Sequence, residues 1–239
     1  MKLKDIRLKE IIQLKKIDRE LIYTGEANQN HELGQIKAYQ QVLVDMDTMD
    51  IETFETINNK IIIDRMSRYA DDEPIVYIDE EVFNASDAAI EEGYYSVIGE
   101  VLEFINPEHM YSEVPEFEID ICKNKLLKEL TLIEILHTKI QFIKEDKHIF
   151  PEDCKYVNEG EISAYLDIIN DINDLTVNIF EKKYLEILDI NVQRIFDIAD
   201  VNSPRSERIQ GYNFGVIEVL VLINPKKQRQ FLQYIPKEY

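Results

Sequence analysis

The chain has no tryptophan, two cysteines, and only seven glycines and seven prolines in 239 residues. So few turn-forming residues exclude a sandwich or barrel, whose many tight turns use both types. Cys122 and Cys154 form neither a metal-ligand spacing nor a disulfide framework, and read as reduced structural thiols of a cytoplasmic protein. Long apolar runs are also lacking. The longest, Val216 to Ile223, contains Glu218, whereas a spanning helix needs about 20 apolar residues, so no membrane association is expected. Residues 1–10 are charged throughout and hold no apolar stretch of the kind a secretory leader needs. Positive charge is scarce as well: 27 Lys and Arg stand against 47 Asp and Glu, net −20. That sign disfavours direct binding of DNA or RNA. A hydrophobic content of 45% nevertheless supplies a core, so the charge does not imply global disorder.

What the sequence does have is an internal repeat. Four segments align without gaps on Gly34, Gly93, Gly160 and Gly211. Four residues later stand Ala38, Val97, Ala164 and Gly215, and seven later the polar Gln41, Glu100, Asp167 and Glu218. Eight later stand Val42, Val101, Ile168 and Val219; nine later, Leu43, Leu102, Ile169 and Leu220. The twelfth position holds Met46, Ile105, Ile172 and Ile223, and the thirteenth Asp47, Asn106, Asn173 and Asn224. Offsets of 4, 8, 9 and 12 share one face of an α-helix. The glycine and the small residue after it would let a neighbouring helix approach closely. The Asp/Asn column, followed twice by proline (Pro107, Pro225), would end the helix.

An apolar-periodic helix is expected upstream of each copy, over Leu3–Tyr23, Phe54–Tyr69, Leu126–Ile143 and Ile179–Ile198. The fold expected is therefore all-α: an array of four helical hairpins in a single bundle, over residues 1–48, 49–118, 119–175 and 176–239. One hairpin cannot bury its apolar face alone, but four stacked hairpins can. Pro74 to Ile78 could form a short strand, for which the sequence offers no partner.

The charge is unevenly placed. Residues 49–118 hold 3 basic and 19 acidic side chains, net −16; the other three segments carry net charges of 0, −5 and +1. Asp71, Asp72, Glu73, Asp79, Glu80, Glu81, Asp87, Glu91 and Glu92 fall within 22 positions, and Glu100 and Glu103 follow. Crowded like charges repel, a cost tolerated when solubility or a cationic partner gives something back. A solvated acidic face is the plain reading of such a run. The sharper reading makes these eleven carboxylates a docking surface for a basic protein. Helical carboxylates at i, i+3 and i+4 lie about 5–6 Å apart, and duplex DNA carries a charge every ~3.4 Å per strand. An acidic helix can thus imitate a phosphate track and steer its own encounter with a basic cleft.

Catalytic and metal motifs are few. Glu134/His137 and Glu145/His148 have the Glu-x-x-His spacing of di-iron bundles. Eleven residues apart on one helix, they would be about 16 Å from each other, whereas a two-metal site needs about 3.5–4 Å. No EF-hand, phosphate-cradling loop, H-E-x-x-H or G-x-S-x-G is present. His31 and His109 read as helix-end residues. Tyr94, Tyr95, Tyr111 and Tyr212 could offer contact area to a partner. No catalytic residue, metal site or cofactor is expected. The sequence points to a non-enzymatic acidic inhibitor or adaptor that occludes a nucleic-acid-binding site, by analogy with anti-restriction, anti-CRISPR or nuclease-immunity proteins. The rival readings are a helical scaffold with another kind of partner and a metal-dependent bundle enzyme.

Overall fold

The computed structural model describes residues 2–26, 29–70, 85–107, 125–145, 154–198, 200 and 203–235; for 63–70, 85–87 and 145 it describes the backbone alone. The described residues form nine α-helices, short 3-10 turns and no strand. The protein is all-α, as the periodicity requires. The proposed strand at 74–78 lies outside the described residues. The chain divides into two compact units: residues 15–130, and residues 1–14 together with 131–239.

The first unit contains α2 (Asn30–Asp45), α3 (Ile51–Ala70) and α4 (Ala85–Ile105). Here α2 and α4 run side by side in the same direction, since Gln35 bonds Ser96 and Tyr39 bonds Glu100. They touch at their glycines. A Cβ on Gly34 would strike the Ile90 carbonyl, and one on Gly93 the His31 carbonyl. The second unit contains α5 (Leu132–Glu145), α6 (Lys155–Asp171), α7 (Val177–Phe196), α8 (Pro204–Ile223) and the five-residue α9 (Gln228–Leu232). Its α6 and α8 repeat the crossing: Gly160 lies against the Arg208 carbonyl and Gly211 against that of Val157. Backbones this close exchange Cα–H···O contacts and extensive dispersion, which any side chain would prevent.

The positions four and eight after each glycine are buried in all four helices. The ninth is buried only in α4 and α8, at Leu102 (1% exposed) and Leu220 (0%). The thirteenth-position residues stand just past each helix, as expected of a stop signal.

The upstream helices differ from expectation at their starts. Leu3–Tyr23 is not one helix but a 3-10 turn, Leu3–Asp5, followed by α1, Leu8–Ile22. Leu126–Ile143 likewise divides into a turn, Leu127–Glu129, and α5. The reason is a cap. Thr131 and Glu134 form a reciprocal capping box, Thr131 N–H donating to Glu134 Oε2 at 2.7 Å and Glu134 N–H to Thr131 Oγ1 at 3.2 Å. At the start of α1 the Arg7 N–H donates to Glu10 Oε2 at 3.0 Å. The extended break turns Leu3, Ile6 and Leu8 all inward, each at 0% exposure. Several residues of the apolar periodicity in these helices are exposed: Ile17 (43%), Leu21 (66%), Ile57, Ile61 and Phe196.

The two capped openings are also alike in sequence: Leu3–Ile12 and Leu127–Leu136 share five identities in ten positions. Each is pinned to the turn that joins two helices of its unit. Leu3 N–H donates to Leu175 O (3.0 Å) beside an antiparallel bridge, Lys2 to Thr176. Leu127 N–H donates to Met49 O (3.4 Å) beside the bridge Asp50 to Leu126. The opening of the chain therefore belongs to the unit made mostly of residues 131–239, while residues 125–130 belong to the unit that precedes them.

Candidate functional site

Of the eleven carboxylates expected to dock a partner, Asp71, Asp72, Glu73, Asp79, Glu80 and Glu81 lie outside the described residues, as does the side chain of Asp87. The other four sit on α4. Glu91 and Glu92 are exposed and adjacent to Gly93. Glu103 is half-buried. Glu100 is committed inside its unit: it pairs with Lys15 and accepts a hydrogen bond from Tyr39 Oη at 3.0 Å. Its neighbours make it a packing element rather than a free surface charge.

The same arrangement recurs in the second unit. Glu218 pairs with Lys139 at 2.6 Å through Oε1 and accepts from Tyr165 through Oε2. Tyr165 also reaches Glu161 at 2.7 Å. Tyrosine stands five residues after the first glycine of each crossing and glutamate seven after the second; the lysine comes from α1 or α5. Burial first, then the adjacent carboxylates, raise both phenols well above the ordinary value. A second repeated bridge uses the helix-ending asparagines: Asn106 donates to Glu55 and Asn224 to Glu181, both at 3.1 Å. In sequence alone the seventh-position column reads only as polar and the thirteenth as a helix stop. The missed signal was that tyrosine recurs at the fifth position of the first and third copies and glutamate at the seventh of the second and fourth, as partners across a crossing must.

Other candidates are placed plainly. His31 lies in the first turn of α2 with its carbonyl against Gly93. Cys154 is a half-buried free thiol, and Cys122, His109, Tyr111 and His148 lie outside the described residues. Tyr94 meets Tyr95 edge to face at 5.7 Å. Helix α5 is described as far as Glu145, the first member of the second Glu-x-x-His pair. Among the described residues no group of three or more His, Cys, Asp or Glu is placed to hold a metal ion. None of the described helices is long and apolar enough to cross a membrane.

No protein-family model matches the chain, no curated protein matches it, and no solved structure matches it.

Proposed function

We propose that the protein is a non-enzymatic inhibitor or adaptor that lays the acidic segment 49–118 on a basic surface of another protein and covers it against nucleic acid. The observation that carries this reading is the placement of charge: 16 of the 20 excess negative charges fall in that one segment. Some of its carboxylates serve the fold, with Asp50 accepting from Thr53 N–H, Glu55 from Asn106 and Glu100 from Tyr39. Glu52, Glu91 and Glu92 remain exposed. Steering by such a field accelerates encounter with a basic groove and fades with salt. In finer architecture we read four helical hairpins over 1–48, 49–118, 119–175 and 176–239. The contacts of α3 with α4, α5 with α6 and α7 with α8 support the last three of these hairpins.

The test is charge reversal. Lysine at Asp71, Asp72, Asp79, Glu80, Glu91 and Glu92 together is expected to abolish binding to the partner recovered from the native host, with helicity unchanged. Wild-type affinity should fall steeply as salt rises. Affinity unchanged by reversal overturns the docking role. A scaffold reading rests on a different observation, the exposed apolar pair Ile17 and Leu21 on α1. It predicts binding that is insensitive to salt and lost in Leu21→Asp.

A further inference from the structure

Helices α6, α7 and α8 of the second unit line a shallow, open groove of about 350 Å³. Two arginines, Arg194 and Arg208, line it with Ser163, Asn191 and Tyr212, and two isoleucines complete the wall. In a chain of net charge −20, no carboxylate lines this groove. One carboxylate beside it engages Arg208 and another Tyr212. Glu159 holds Arg208 Nε at 2.7 Å, and Asp167 accepts from Tyr212 Oη at 3.0 Å.

Arg208, Asn191 and Tyr212 are held by hydrogen bonds within the unit. Arg208 also donates to the Pro204 carbonyl and stacks on the Tyr156 ring, 4.4 Å from its centroid. That leaves part of a fixed guanidinium fork for a further acceptor. Arg194, in the last turn of α7, is exposed and has no hydrogen-bond or ion-pair partner among the described residues. Asn191 is 6% exposed and donates to Asn213 Oδ1 at 2.9 Å. Asn213 is fully buried, and its Nδ2 has no partner among the described residues.

The other unit supplies a second, independent observation. In register with the repeated crossing, Ile187, Arg194 and Tyr212 correspond to Ile61, Arg68 and Tyr94. An isoleucine, an arginine and a tyrosine thus recur at groove positions where most neighbours on α3 and α7 differ. Residues 49–118 contain only three basic side chains, and two of them, Arg65 and Arg68, fall at groove positions.

We propose that this groove binds a small anion-bearing molecule: a carboxylate or phosphate met by Arg194 and Arg208, with an apolar body against Ile187, Ile209 and the Tyr212 ring. The test is a nuclear magnetic resonance titration of the full-length protein at low ionic strength, with benzoate and inorganic phosphate as separate probes. Benzoate is expected to give saturable shifts confined to α6, α7 and α8, with affinity at least about tenfold weaker in Arg194→Gln. Arg205→Gln, which removes an exposed arginine of α8 outside the groove lining, should bind as wild type. Melting temperature checks that Arg194→Gln is folded. No saturable shift with either probe overturns the site, as does equal binding by Arg194→Gln or equal weakening in Arg205→Gln. Saturation by phosphate alone overturns the apolar half of the proposal.

Discussion

At the scale of the residue, the informative side chains are those that look like surface and are not. Glu218 satisfies the nearly buried Lys139 (7% exposed) and the fully buried Tyr165 at once. Removing the carboxylate leaves a buried ammonium and a buried phenol less well satisfied, at about 1–3 kcal/mol. Glu218→Ala is therefore expected to lower stability by that order in denaturant unfolding, and Glu218→Gln, which keeps the acceptor, by less. Equal losses would place the effect in packing instead. The phenols give a pH signature. Tyr39 and Tyr165 hold their protons in the folded chain well above the usual phenol value near 10. Below about pH 10 folded and unfolded chains carry the same phenol protons, so this contribution to stability is level. Above it the unfolded chain releases them first and binds fewer protons, so stability falls as pH rises, by up to about 1.4 kcal/mol per unit for each phenol. Thermal melts across that range should show a shallower decline in Tyr165→Phe. A double mutant cycle with Tyr39→Phe should be additive, since the two networks lie in different units. The roles of Glu100 and Glu218 were not legible from charge alone. A carboxylate's worth depends on what faces it, and the facing tyrosine lies 61 or 53 residues away.

At the scale of the element, the glycine columns were legible, because a small residue recurring on one helix face has a steric meaning that needs no partner to be known. Their consequence reverses the usual propensity rule. Alanine in a helix interior normally gains about 1 kcal/mol over glycine. At Gly160 the added methyl would meet the Arg208 carbonyl and the Tyr212 nitrogen, backbone that cannot step aside. Gly160→Ala is expected to destabilise by about 1–3 kcal/mol, and Gly160→Leu by more. Gly215→Ala, whose nearest neighbour is the Ala164 Cβ at 3.0 Å, should cost less. Calorimetry ranks the three, and an unchanged melt for Gly160→Ala would contradict the close-contact account. The helix starts were less legible. Thr131 to Glu134 is a readable capping box, but apolar periodicity ran through it because Leu127, Leu130 and Leu132 continue the pattern of burial in a different backbone conformation. The exposed faces of α1 and α3 misled for the complementary reason: Ile17, Leu21, Ile57 and Ile61 keep helical spacing without a helix packed against them at those positions.

At the scale of the whole molecule, the units are not contiguous in sequence, and the cut falls within α1, after Leu14. Leu3 and Ile6 fill the core of the unit built mainly from residues 131–239. Leu3→Asp should therefore raise amide exchange in α5 and at the turn after α6 far more than in α2 and α4. Uniform change across both units, or none, would refute that assignment. All-α content followed from composition and period. The exchange of opening segments did not, because two decamers with half their residues identical carry the same local pattern, and only the assembled fold assigns each to its unit. This exchange has a consequence during synthesis. As the nascent chain leaves the ribosome, residues 15–130 can complete their unit once Leu130 has emerged, yet the first fourteen residues have nothing to fold against until α5 to α8 have been translated. That segment is thus completed late, and Leu3, Ile6, Leu8, Ile11 and Ile12 must be kept from foreign contacts until the helices they pack with have been made.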